Sequence, residues 1–515
     1  MGPEKPPRVG LGVIKRAVIA GLLIMLATAS AVSATVILEV DAVKDEFLGE
    51  GREQIEIPEI TRAEAGAPRT IMLLGSDERY GDKRRGNPVR SDTIILMRVD
   101  PDADAISVMS IPRDLKVKIK TRKYGVVTDR INRAFSEGGP RLTLQTVKRV
   151  LSRPGKPFDI NNVMVVDFGG FRRAVDYIGG VYVDVDRRYY NDNAPPVDSP
   201  EPYATIDIQP GYQRLKGQDA LDYVRYRHLD NDFIRAARQQ DFLRQLKGTA
   251  GIRRLFRVGD RHQLARIFGR YVQVDRSLRS TGQIINLMQL AIFSRGKRVN
   301  EVQFRTSGED ESYVEASESS LRKTVDEFLS GEASATPRRQ TRKPNRGDAV
   351  QKRAKRRSDR KTNRPADVKG LEVAQTEGEN QAIVTTKKLD FPFYFPRYRT
   401  TGSTYVGDAP RAYTIRDETG VKHSAYRMVL STGRLGEYYG IQGTSWRDPP
   451  ILDSPDRTRR VGGRRLQLYY DGERLRMVAW KTPKGVYWVS NTLSQAIDAD
   501  QMVGIAASLQ RLGGG

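Results

Sequence analysis

The hydrophobic pattern changes period several times along the chain, and its most regular stretch runs from Thr70 to Val117. Ile71–Gly75 and Thr93–Val99 are nearly unbroken apolar runs, as in strands covered on both faces. Ala105–Ile111 is a third run, and the turn-rich Pro101-Asp102-Ala103-Asp104 before it predicts a hairpin. As a meander, the three strands gather Asp77, Arg79, Arg90, Asp92 and Arg113 at one rim of a sheet. Carboxylates and guanidinium groups placed there can hold a hard cation and a phosphate together. Solvated surface ion pairs are the alternative.

Beyond the meander the apolar period lengthens. A turn at Ser136–Pro140 precedes a helix over Leu142–Leu151, with Leu144, Val147, Val150 and Leu151 at helical spacing. Asn162–Asp167 reads as a strand, Phe171–Ile178 as a helix stopped by Gly179-Gly180, and Val181–Val185 as another strand. A helix over Gln283–Phe293, a strand over Glu301–Thr306 and a helix over Ser317–Leu329 close this region. The alternation predicts an α/β or α+β domain at 69–330, a central mixed sheet flanked by helices.

Within it, Gly211–Leu246 is rich in arginine. A short helix at Lys216–Leu221 is expected to lead into an extended Tyr223–Arg227, where Arg225 and Arg227 share a face. Asp232 would cap the next helix, with Arg235, Arg238 and Gln239 on one side. Four arginines on two adjacent elements suit a diphosphate, because each fork can grip phosphate oxygens in bidentate fashion. An arginine-rich solvated helix is the other reading.

The ends of the chain set the compartment. Ala17–Leu38 is an uncharged run long enough to cross a ~30 Å hydrocarbon core as a helix. Basic residues precede it in the 1–16 tail and acidic ones crowd the start of a 39–68 spacer. That asymmetry places the N-terminus in the cytoplasm and the rest outside, in a single-pass membrane protein. A signal peptide cleaved near Ala29-Ser30-Ala31 is the alternative, and it too exports the remainder. The net charge of +24 implies polyanionic partners, such as anionic lipid or wall polymer. Export argues against nucleic acid.

With no cysteine and three scattered histidines, a metal here would be oxygen-ligated, Mg²⁺ or Mn²⁺. Residues 331–382 hold almost no apolar side chains and predict a basic disordered linker, a tether to polyanions or simply solvated. A smaller domain at 383–515 reads as an antiparallel meander over Arg464–Tyr470, Arg474–Trp480 and Val486–Val489, closed by a helix over Asp498–Leu512. Its aromatic residues Tyr469, Tyr470, Trp480, Tyr487 and Trp488 are expected in its core and on its sheet, with no catalytic cluster.

Six motifs occur in one order. They are Leu74-Gly75-Ser76-Asp77-Glu78-Arg79, Arg90-Ser91-Asp92-Thr93, Ser110-Ile111-Pro112-Arg113-Asp114, Ile131-Asn132, Val224-Arg225-Tyr226-Arg227, and Asp232 through Arg235 to Arg238-Gln239-Gln240. In this the chain resembles the LytR–CpsA–Psr family of bacterial envelope phosphotransferases, closely over 70–247 and more loosely to about 330. The resemblance implies transfer of a glycopolymer, such as teichoic acid or arabinogalactan, from a polyprenyl-pyrophosphate carrier to peptidoglycan, leaving a phosphodiester.

By that analogy Asp77 and Asp92 would bind Mg²⁺ at the pyrophosphate. Arg79, Arg90, Arg113, Arg225, Arg227, Arg235 and Arg238 would clamp the phosphates with help from Gln239, and an apolar pocket between sheet and helices would take the prenyl tail. Asp92 is also the candidate for orienting or deprotonating an acceptor hydroxyl. Arg130 and Arg133 depart from the family pattern, which has a lysine before Ile131-Asn132 and a small residue after it. No GxxxxGK[ST] loop is present, which argues against nucleotide hydrolysis. Two other functions fit: a polyprenyl-pyrophosphate hydrolase, and a non-catalytic exported protein that binds anionic wall polymer.

Overall fold

The computed structural model describes residues 56–64, 66–76, 91–103, 105–192, 205–226, 230, 232–248, 272–276, 297–309, 313–331 and 365–512. The expected membrane segment 17–38 and the helix expected over Gln283–Phe293 lie outside these residues. Among the described residues, no helix is long and apolar enough to cross a membrane.

The apolar runs of the meander become β1 (Arg69–Ser76), β2 (Ser91–Val99) and β3 (Ala105–Ile111), paired antiparallel in sequence order. The chain then forms a hairpin of β4 (Lys116–Thr121) and β5 (Gly125–Arg130), and a helix, α1 (Arg133–Leu151). α1 starts nine residues earlier than the expected Leu142. The Gly138-Gly139-Pro140 segment breaks its helical geometry rather than ending it, with Gly139 at φ 61°. Next come β6 (Asn162–Asp167), α2 (Phe168–Tyr177), β7 (Val181–Val185), β8 (Tyr189–Asp192), β9 (Thr205–Ile208) and β10 (Gly211–Leu215). The arginine-rich segment gives α3 (Gly217–Arg225) and α4 (Asp232–Gly248), followed by β11 (Val272–Val274), β12 (Arg298–Val302) and α5 (Glu318–Ser330).

Six of these strands form one mixed sheet in the order β11-β6-β1-β2-β3-β12. β6 lies parallel to β1 and β12 parallel to β3, while the other neighbours are antiparallel. One face packs Met72, Leu74, Leu96 and Met109 against α1 and α5 residues such as Leu144 and Phe328. On the opposite face Ile95 and Val108 meet Leu243 of α4. Burial on both faces explains why these strands read as continuous apolar runs rather than alternating ones.

After Gly331 the described residues resume at Pro365, with a short helical turn over Pro365–Asp367. Leu371–Val373 is a strand and Gln375–Thr386 a helix, in a stretch expected to belong to the disordered linker. That helix has no apolar stripe; it is held by tertiary contacts at Ala382, Thr385 and Gly378, where a Cβ would come 3.0 Å from Phe395. An eight-stranded antiparallel sheet follows, its three C-terminal hairpin strands Arg464–Asp471, Arg474–Thr482 and Gly485–Ser490 pairing as expected. Tyr469, Trp480, Tyr487 and Trp488 are buried in its cores. The sheet ends on the strand Arg457–Val461, of which all but Val461 are exposed. The closing helix is Ala499–Ser508, with a capping box at Asp498 and Gln501.

The two units share an interior. Tyr182 and Tyr212 of the first pack against Trp446 and Trp488 of the second. Asp184 accepts hydrogen bonds from Arg427 Nη1 at 3.0 Å and from Trp488 Nε1 at 3.1 Å, all three side chains being buried. Gly211 (φ +114°) leaves room for Tyr413, whose hydroxyl a Cβ there would approach to 2.4 Å.

Candidate functional site

The site sits where β2 begins and β3 ends, beneath the N-terminal half of α4. Gly75 opposes Thr93 across the β1–β2 ladder, and a Cβ on Gly75 would lie 3.0 Å from that of Thr93. The missing side chain lets Thr93 Oγ1 take a hydrogen bond from Gln239 Nε2 of α4 at 3.2 Å. The same amide also donates to the carbonyl of Val224 at 3.1 Å, tying α3 to α4.

Next to Thr93, Asp92 accepts from Arg113 Nη1 at 2.7 Å, a contact between the start of β2 and the end of β3. The Arg113 Nε donates to Asp114 at 3.3 Å. Arg235 of α4 reaches the backbone carbonyl of Asp92 with Nη2 at 3.5 Å. A cleft of about 640 Å³, counted out to open solvent, is bounded by Asp92, Thr93, Arg235 and Gln239. Ile94, Ile111, Phe233 and Val302 supply an apolar wall. Ser494, from the second unit, also lines it.

Four of the ten expected site residues therefore meet here: Asp92, Arg113, Arg235 and Gln239. Asp77, Arg79, Arg90 and Arg227 lie outside the described residues. Arg225 does not join the contacts at Asp92. The expected extended Tyr223–Arg227 is helical through Arg225, and the Arg225 guanidinium lies over the Phe168 ring with its Nε 2.9 Å from Asp222 Oδ1. α4 begins at Asp232.

Arg238 departs furthest from expectation. It is wholly buried, ion-paired to Asp230 and hydrogen-bonded to the carbonyl of Tyr226. Tyr189, Tyr223 and Tyr226 surround its guanidinium with ring centroids 4.8, 5.7 and 5.8 Å away. Burial alone would lower its pKa, but Tyr189 and Asp230 together raise it, so the cation is locked in place. Arg187 shares Asp230 at 2.6 Å, and nearby Asp186, pushed up by burial, accepts from the Tyr189 hydroxyl at 2.6 Å. Arg238 is thus a structural cation rather than a phosphate ligand. Asp230 and Arg187 carried no signal in the sequence, since isolated acidic and basic residues in a polar stretch do not reveal which are buried.

The two residues that depart from the family pattern have carboxylates of their own. Arg133 pairs with Asp129 at 2.7 Å and Glu137 at 3.2 Å, and Arg130 lies 3.5 Å from Asp114. For a hard cation, no group of three or more acidic or histidine side chains clusters among the described residues. Asp92, with its side chain 36% exposed, offers one carboxylate at the cleft. Magnesium sites often use one or two carboxylates plus phosphate oxygens of the substrate.

A mixed sheet whose strand ends and crossing helix present a carboxylate, an arginine and an amide to one cleft defines an α+β domain with a polar site at its sheet rim. The chain belongs to the LytR_cpsA_psr family, which it matches over residues 35–328. It is 34% identical over 181 residues to the polyisoprenyl-teichoic acid–peptidoglycan teichoic acid transferase TagV of Bacillus subtilis, covering 35% of this chain and 43% of that protein. It is 30% identical over 235 residues to the transferase TagU of Bacillus cereus, covering 45% and 67%. The chain thus spans less than half the length of TagV. The crystal structure of B. subtilis TagV superposes with a TM-score of 0.39 at 23% identity, covering 52% of this chain and 97% of that one.

Proposed function

We propose that the protein is a membrane-anchored phosphotransferase. It would move a glycopolymer from a polyprenyl-pyrophosphate carrier onto peptidoglycan outside the cytoplasmic membrane, forming a phosphodiester. One observation carries this reading: Asp92, Arg235 and Gln239 line one cleft, and Arg113, from a third part of the chain, is held beside it by its bond to Asp92. Transferase names among the relatives point the same way.

Phosphoryl transfer needs positioning and neutralised charge more than covalent help from the protein. Arg113 and Arg235 would grip the diphosphate oxygens, with Arg79, Arg90, Arg225 and Arg227 of the neighbouring motifs as further cations. Gln239 would add a neutral donor. The apolar wall at Ile94, Ile111 and Phe233 suits the lipid side of such a donor. Asp92 has two uses, orienting the acceptor hydroxyl and, with Asp77, holding Mg²⁺. When bound, the cation would neutralise charge building on the leaving phosphate. Asp92 also fixes Arg113 through their 2.7 Å bond, so losing the carboxylate would loosen the guanidinium as well.

The test is transfer from a lipid-linked donor to peptidoglycan fragments by the full chain, read by mass spectrometry of the products. Polymer covalently attached to the fragments is the expected result. Phosphorylated polymer released with no acceptor attached would convert the enzyme into a hydrolase. No turnover, with Asp92→Asn and Arg113→Ala behaving as wild type in cells, would leave only a wall-polymer binder.

A further inference from the structure

The second unit lies beyond the residues that match the family, yet it holds the helix that carries half of the site. α4 is enclosed on several sides. Leu243 meets the sheet, while Phe242 and Arg238 enter the tyrosine cluster. A further stripe faces the second unit, and two contacts on it lie ten residues apart, about 15 Å along a helix.

At the first contact, Gly436 (φ +71°) packs so closely on Ile234 that a Cβ would fall 2.6 Å from Ile234 Cγ1. At the second, Arg244 bridges Glu301 Oε1 at 2.6 Å and Asp471 Oδ2 at 3.1 Å. Asp471, fully buried, also accepts from Arg474 at 3.3 Å, Gln495 at 2.9 Å and the backbone amide of Glu301 at 3.1 Å. Gln495 holds this place with φ at 54°, a conformation that non-glycine residues seldom adopt. Two grips along one helix fix both its rotation and its slide. Arg235 adjoins Ile234, and Gln239 is one turn further on, so both depend on that setting.

We propose that the C-terminal unit is a positioning element of the active site. By gripping α4 at Ile234 and Arg244, it sets Arg235 and Gln239 against Asp92 and Thr93; Gly436 and Asp471 are its positioning residues. The proposal rests on the reading that this cleft binds a diphosphate. The two can be told apart, because movement of α4 is measurable without turnover.

The experiment uses the full chain with Gly436→Ala and Asp471→Asn, and Arg399→Ala as a control far from α4. Amide hydrogen exchange over 232–248 is expected to quicken about tenfold in both variants, with β1–β3 unchanged. The KM for a polyprenyl-pyrophosphate-linked donor should rise about tenfold with kcat within about twofold, as expected when ground-state and transition-state binding weaken together. Ile234→Ala, which removes the same contact from the α4 side without straining the Gly436 backbone, should quicken exchange in α4 likewise. Unchanged exchange in α4 overturns the proposal. Should Asp471→Asn fail to fold, Gly436→Ala, which disturbs no buried charge, decides. If exchange responds as expected but the wild type neither binds nor turns over the donor, the proposed function fails and the positioning role stands.

Discussion

At the start of α4, Arg235 lines a cleft and leans on the backbone of Asp92. One turn later, Arg238 sits in a closed box of three tyrosines and a carboxylate. The two regions use the same side chain differently. In the box, the guanidinium's charge is matched within the protein and its role is to join α4 to Asp230. At the cleft, Arg235 lines the open space directly, while Arg113 stands behind it, paired to Asp92 and Asp114. A cation's value for binding depends on what already surrounds it, and one helical turn is enough to change that.

The sharpest way to break the comparison is to remove the boxed cation. Arg238→Ala leaves Asp230 buried opposite Arg187 alone and should cost about 3–5 kcal/mol of stability, read from urea denaturation. If stability is unchanged and only transfer falls, Arg238 belongs with the cleft residues after all. The complementary change, Arg113→Ala, should lower transfer by about 10²–10³-fold with the melting temperature nearly intact, as for loss of one preorganised charge donor. Gln239→Ala removes a neutral bond to Thr93 and should cost about 0.5–1.5 kcal/mol of donor binding, seen in a titration.

A further prediction concerns pH. Burial holds the Lys247 amine, at the far end of α4, at about 8. Because its folded pKa is depressed, the unfolded chain binds its proton more readily between there and the ordinary lysine value. Lys247 therefore destabilises the fold at neutral pH, and its share of stability rises with pH across that window. In Lys247→Met the rise should vanish from a series of denaturation midpoints; a persisting slope would assign it to another group.

Many of the strands are legible in the sequence, because apolar runs such as Thr93–Val99 in the central sheet and Val181–Val185 in a separate hairpin pair reflect burial that no loop could satisfy. Connectivity alone places Asp92 and Arg113 at one rim of the sheet, though not their direct bond. Helical spacing places Arg238 near Gln239 but is silent about the tyrosines arriving from β8 and α3. The sequence of the Gln375–Thr386 helix has no apolar face and reads as linker as far as 382; only contacts from elsewhere in the unit make it a helix. The joint between the units was equally hidden. Its members, Asp184, Arg427, Asp471 and Trp488, are single residues far apart in the chain, with no pattern to connect them.

The outermost strand of the second unit, Arg457–Val461, has one further consequence. It terminates an eight-stranded sheet, so its outer backbone groups could template a neighbouring copy. Arg459 stands exposed on it, and Arg460 opposes Arg465 across the hairpin, like charge facing like charge. That repulsion is a modest cost to the monomer, but an approaching duplicate would meet it doubled. Molecules crowded side by side would on this account stay separate. Light scattering of an Arg459→Val/Arg460→Thr variant should show growth with concentration where the parent shows none.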